Sequence, residues 1–195
     1  MNARFASPLL ALLLVLSPAG SPAATNDKAR EEVLVLFGQR RVALAVPPGF
    51  VFSSHKDERG LITANLTDPK EKITLQISFL PDPDGEFATP RGRKELMVQS
   101  FQQFVSGSVE QAMRFEELEP RTGAGTYCVF TDAALVGQAK LPPGDYLHST
   151  TGVKAWRGCL AVFTLMSNTT TSDEYRAAMK LLRESLVEQP LTPLL

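Results

Sequence analysis

The chain has 195 residues, 44% of them apolar and 21% charged, which is an ordinary globular composition and argues against disorder. Twenty Lys and Arg stand against 21 Asp and Glu, a net charge of −1. Neither nucleic acid nor an anionic lipid surface finds net attraction in that balance, and the basic clusters, Arg40-Arg41 and Arg91, Arg93 and Lys94, are short.

The amino terminus carries a compartment signal. Arg4 supplies a positive charge, residues 9–16 form an apolar run too short to span a bilayer, and Ser21-Pro22-Ala23 offers small residues before a cut. Residues 1–23 are therefore expected to be a secretory signal, cleaved after Ala23. What remains, about 170 residues, suits one domain. No later run reaches spanning length, so no integral membrane segment is expected after cleavage. The cleavage point lacks the cysteine of a lipoprotein anchor. The expected location is the bacterial periplasm or the medium. A eukaryotic secretory route fits the same signal and would give meaning to the sequons Asn65-Leu66-Thr67 and Asn168-Thr169-Thr170.

Residues 24–32 read as a polar, flexible leader, and residues 33–188 as a single domain with a tail at 189–195. Apolar runs at 33–37 and 41–46 flank the turn Gly38-Gln39-Arg40 and predict a hairpin. Pro47-Pro48-Gly49 ends it, and Phe50, Val51 and Phe52 lead into a solvated loop at 53–60. Residues 61–67 and 73–80 predict a strand pair, because Ile73, Leu75, Ile77 and Phe79 alternate with Thr74, Gln76 and Ser78. A helix is predicted near 91–112, with Met97, Phe101, Phe104 and Val105 on one face. Met113 and Phe115 suggest a short strand, and strands are predicted at 126–136, 145–156 and 159–166. A second helix at 172–188 starts from the cap Ser172 and buries Tyr175, Ala178, Met179, Leu182 and Leu186. The fold class is α+β, a mostly antiparallel sheet packed with helices.

This order resembles that of the PsbP-like superfamily, which includes the DcrB-like bacterial envelope proteins. The matching pieces are the opening strand running into Pro47-Pro48-Gly49-Phe50, a strand pair ending at Phe79, a helix near 91–106, and a last hairpin at 154–166 leading into a helix ending near Ser185-Leu186. The resemblance implies an α/β/α sandwich and a binding or assembly module with no common catalytic set. Fold likeness does not fix function.

Several residues invite chemistry. Cys128 and Cys159, the two cysteines, read first as a disulfide in an oxidising compartment. Closing that loop would contribute about 3–4 kcal/mol. A simple meander, however, holds the two cysteines two strands apart, roughly 9–10 Å, so two buried apolar thiols are the other reading. Without Cys-x-x-Cys, redox catalysis is not expected, and the histidine and cysteine spacing makes a poor zinc site. Asp82-Pro83-Asp84-Gly85-Glu86 resembles a calcium loop, but its glycine comes too early and Arg93 stands where the closing glutamate belongs. A tight turn before the helix is expected instead. His148 and Ser149 lie beside Asp145, yet neighbouring strand residues point to opposite faces, so they do not form a catalytic pair. His55 reads as surface. Tyr146, His148, Thr150, Gly152, Lys154 and Trp156 should share one face of a strand. Tyr146, His148, Lys154 and Trp156 on it are the candidate surface for a ligand or partner; an ordinary solvent face, with Trp156 covering the core edge, is the alternative. Leucines in the tail at 191–195 offer a docking point or a frayed end.

With no cofactor, metal or catalytic group recognised, the expected function is an exported, non-catalytic binding or assembly-accessory protein of the bacterial cell envelope. Its partner is expected to be a protein or a small molecule. The competing expectations are a hydrolase-type enzyme whose site is assembled from distant residues, and a structural subunit of an envelope complex.

Overall fold

Alternation with period two builds the central sheet. In Ile62–Thr67 (β4) and Ile73–Pro81 (β5) every second side chain is buried, and the intervening Thr, Asn, Gln and Ser side chains are half-buried on the other face. The computed structural model describes residues 29–68, 70 and 72–189. The expected signal at 1–23, residues 24–28 of the expected leader, and the tail leucines lie outside the described residues.

The remaining strands are Arg30–Val35 (β1), Arg41–Val46 (β2), Val51–Lys56 (β3), Glu116–Glu117 (β6), Ala124–Thr131 (β7), His148–Trp156 (β8), Cys159–Ser167 (β9) and Val187–Gln189 (β10). The helices are Pro90–Phe101 (α1) and Asp173–Glu184 (α2). All strand pairs are antiparallel, in a seven-stranded sheet ordered β3-β4-β5-β9-β8-β7-β6 and a three-stranded sheet ordered β1-β2-β10. The fold is α+β, as the sequence predicts.

Two cores result, one on each face of the large sheet. Leu75, Ile77, Phe79, Phe163 and Leu165 pack with Tyr175, Met179 and Leu182 of α2 and with Leu34, Val42 and Leu44 of the small sheet. Leu96, Met97 and Phe101 of α1 pack on Cys128, Phe130, Val153, Leu160 and Val162, from β7, β8 and β9. Each large side chain buried in this way contributes about 1.5–3 kcal/mol. Both helices start at a side-chain cap, which for α2 is the predicted Ser172. Thr89 Oγ1 accepts from the Gly92 N–H at 3.1 Å, and Ser172 Oγ accepts from the Tyr175 N–H at 3.1 Å. Asp173 and Glu174 in the first turn of α2, and Arg183 in its last, complement the helix dipole.

The differences from expectation lie at element ends. The first helix was expected to reach 112, but α1 ends at Phe101 and a 3-10 turn continues it only to Phe104. Ser108 Oγ donates to Val105 O at 3.0 Å and accepts from the Gln111 N–H at 3.2 Å, local bonds that compete with helix continuation. The short strand near 113–115 forms instead at β6. The second helix stops at Glu184 rather than 188, because residues 187–189 pair with Arg41, Val42 and Ala43 of β2. The strand predicted at 126–136 ends at Thr131, where Asp132 Oδ1 accepts from the Ala134 N–H at 2.9 Å and turns the chain. The strand predicted from 145 begins at His148. The loop at 53–60 is a strand as far as Lys56, ordered by backbone pairing with β4, and its polar side chains suit a sheet edge. Pairing with β2 also draws residues 30–32 of the expected leader into β1.

Candidate functional site

Strand β8 lies between β7 and β9, and its alternate side chains meet opposite cores. Thr150, Gly152, Lys154 and Trp156 do share one face, as predicted, but that face lies under α2. Lys154 is 0% exposed and Trp156 6%, so neither belongs to a docking surface. Lys154 Nζ donates to the Leu182 and Leu186 carbonyl oxygens, each at 3.2 Å, and stands 5.7 Å from the centre of the Trp156 ring. Burial pushes its ammonium down to about 8. Thr150 Oγ1 and the Tyr175 hydroxyl lie 2.9 Å apart. Trp156 meets Phe79 edge-on, with ring centroids 6.5 Å apart.

The other two candidate residues separate. The Tyr146 hydroxyl lies 3.0 Å from Thr74 Oγ1, on the face of β5 opposite the α2 core, because residue 146 precedes the strand and escapes its alternation. His148 stays on the α2 side, cross-strand from Thr131. Its Nδ1 is 3.2 Å from Thr131 Oγ1, which donates to Glu110 Oε1 at 2.7 Å, while the Thr131 N–H donates to Glu110 Oε2 at 2.8 Å. Burial pulls Glu110 upward, but the bonds from Thr131 outweigh it and hold the carboxyl below its usual range. Burial also pushes His148 down, partly offset by the Glu110 charge. Sequence reading missed Glu110 and Thr131. The only signal for them is the register that sets Thr131 against His148. Ser149 points away from His148, into the face shared with Phe130, as alternation requires.

Of the two readings of the cysteines, the structure has the two buried thiols rather than the disulfide. Cys128 is opposite Thr151 on β8, whereas Cys159 is opposite Trp156. Cys128 lies in the α1 core and Cys159 in the α2 core, on opposite faces of the sheet. Two interstrand steps and five residues of offset along β8 separate them by on the order of 19 Å, far beyond bridging reach. Burial pushes the Cys128 thiol up to about 12. The Asp82 carboxylate accepts from the Glu86 and Phe87 N–H groups at 3.0 and 3.3 Å, so it caps the turn before α1, as expected. No group of three or more His, Cys, Asp or Glu able to hold a metal occurs among the described residues.

A groove of about 360 Å³ runs beside α2. Tyr127 of β7, with Tyr175 and Met179 of α2, forms its floor, all three buried. Arg176, Lys180 and Arg183 line it at the i, i+4, i+7 spacing of one helical face. The Tyr127 hydroxyl donates to Glu116 Oε2 at 2.6 Å, and burial together with that carboxylate pushes the phenol up to about 12. Arg183 Nε donates to Leu118 O at 2.9 Å, tying α2 to the loop after β6. Arg176 bonds Thr171 O and Asp173, and Lys180 stands 3.8 Å from Glu184. These exposed pairs contribute little to stability and leave their donors open to exchange partners.

Neither a scan against protein-family models nor a search of curated proteins finds a match for this chain. Among the described residues no helix is long and apolar enough to cross a membrane.

Proposed function

We propose that this chain is an exported, non-catalytic binding or assembly-accessory protein of the bacterial cell envelope. In this reading residues 1–23 direct export, the packing on both faces of the large sheet is a PsbP-like sandwich, and the ligand enters the groove beside α2. The observation that carries the reading is the combination of an apolar, aromatic floor at Tyr127, Tyr175 and Met179 with three cations from one helical face, Arg176, Lys180 and Arg183, against the one carboxylate of the lining, Glu184. That combination suits an acidic peptide or small molecule with an apolar body, since the floor supplies burial and the rim supplies charge.

The test uses anilinonaphthalene sulfonate, an anion with an aromatic body, titrated into the exported chain. Saturable binding at one site is expected, weakened about tenfold or more by the double charge reversal Arg176→Glu, Lys180→Glu. Both side chains are exposed, so the fold is expected to survive. Undiminished affinity would remove the groove from the reading. Export is tested by cell fractionation and amino-terminal sequencing, with Ala24 expected first.

A second reading, a hydrolase-type enzyme assembled from distant residues, is favoured by the hydrogen-bonded series Glu110–Thr131–His148. Hydrolytic turnover lost in His148→Ala with the fold intact would establish it over the first.

A further inference from the structure

The segment that follows α1 is fastened to the end of β7. On its outer side β7 pairs with β6 at Thr126 and Tyr127. At Thr131 the neighbour is instead the irregular segment 105–115, a strap along the strand edge. The Val109 N–H donates to Thr131 O at 2.8 Å, and the Ala133 N–H donates to Gly107 O at 3.0 Å. The strap also joins the two faces of the sheet. Val105, Met113 and Phe115 pack at the margin of the α1 core, whereas Glu110 reaches Thr131 beside His148, on the α2 side.

Little burial holds this strap. Of residues 105–115 only Ser108 is buried, and Val109 is 55% exposed. A segment of that kind opens locally at small cost. Glu110 adds two bonds to the same strand end: one carboxylate oxygen takes the Thr131 N–H at 2.8 Å and the other takes the Thr131 hydroxyl at 2.7 Å. Both are charge-assisted and rely on the ionised carboxylate, which only accepts. The Thr131 hydroxyl has one proton, and Glu110 receives it. His148 Nδ1, 3.2 Å from that hydroxyl oxygen, is therefore the donor, whether the ring is neutral or charged.

We propose that Glu110 is an acid-released latch: ionised, it holds residues 105–115 closed on the edge of β7, and protonated, it lets them open. Opening uncovers a strand edge together with Met113 and Phe115, features through which sheet proteins associate. The device is separate from the groove beside α2.

The direction of the switch follows from the bonds. Burial raises the Glu110 carboxyl, but the Thr131 bonds outweigh it and leave the group below its usual range. A depressed carboxyl contributes stability above its unfolded value and loses it as pH falls through the folded value. His148 is the titratable group whose charge bears on Glu110, and Glu110 is the one that bears on His148. Asp132, next along the chain, is turned to its own loop, where Oδ1 accepts from the Ala134 N–H at 2.9 Å. Once charged, His148 still donates from Nδ1 and draws Glu110 further down, so the strap opens only when Glu110 itself takes a proton.

The exported chain is followed by NMR from neutral to about pH 3. The Glu110 carboxyl and the Thr131 amide are expected to titrate together, and amides of residues 107–115 to move in the same step while β8 and β9 keep theirs. At neutral pH, Glu110→Gln is expected to raise chymotrypsin cleavage at Phe115 about tenfold or more, with circular dichroism unchanged. His148→Asn keeps a donor but loses the cation, so the opening midpoint is expected to move to higher pH, a shift that a purely structural clamp would not show. If Glu110→Gln fails to fold, the wild-type titration decides. A Thr131 amide indifferent to Glu110, a strap that moves only when the whole chain unfolds, full protease resistance in folded Glu110→Gln, or an unmoved midpoint in His148→Asn would each overturn the proposal.

Discussion

The Lys154 ammonium lies 3.2 Å from the Leu182 carbonyl oxygen, under the last turn of α2, where helix carbonyls lack intrahelical donors. Leu186 O completes the cradle at the same distance. The carbonyls and the Trp156 ring favour the cation, while burial opposes it more strongly, since its pKa falls to about 8 from 10.5. A lowered lysine pKa means that the unfolded chain binds the proton more tightly. Folding stability therefore rises with pH from about 8 to 10.5. Below that window the buried charge costs about 3 kcal/mol. Chemical denaturation across it should show the rise, and Lys154→Met should flatten it.

Tyr127 and Glu116 are coupled through a 2.6 Å hydrogen bond. Burial is the larger cause of the raised phenol and Glu116 the next, so Glu116→Gln should lower the Tyr127 pKa from about 12 without restoring its ordinary value. Ultraviolet difference absorbance during alkaline titration reads the change. An unmoved titration would mean that the pair does not persist in solution.

Gly152 is required by close packing, since a Cβ there would stand 2.4 Å from the Phe163 ring and 2.7 Å from the Thr126 carbonyl oxygen. The neighbouring backbone cannot yield cheaply. Gly152→Ala should cost about 1–3 kcal/mol in urea unfolding.

Both thiols should be recovered from the exported protein. Alkylation of the chain unfolded without reductant is expected to label Cys128 and Cys159, and reductant is expected to leave the melting temperature unchanged. In the native state Cys128 should react slowly, because its thiol is buried and its pKa is pushed up to about 12.

The legible parts of this fold are those whose side chains declare a period. Alternation located β4 and β5, and Tyr175, Ala178, Met179 and Leu182 located the buried stripe of α2. The polar strand β3 carries no such signal, since pairing with β4 through the backbone is what orders it. The candidate surface was legible only as a face. Alternation placed Thr150, Lys154 and Trp156 together, but what covers a face is decided by elements distant in sequence, and here α2 covers it. Tyr146 failed because period-two reasoning was carried two residues beyond the start of the strand. Glu110 sits in an irregular segment and reaches Thr131 through tertiary structure alone, so no local pattern announces it. The sequence left the cysteines with two readings for a related reason: the length of the excursion between β7 and β8 sets the register, and only the register puts Cys128 opposite Thr151.

The small sheet joins the two ends of the described chain, with β2 held on one edge by β1 and on the other by β10. A polypeptide made from its amino terminus must therefore leave one margin of β2 open until residues 187–189 emerge. Any growing portion that stops short of them leaves the small sheet unlocked.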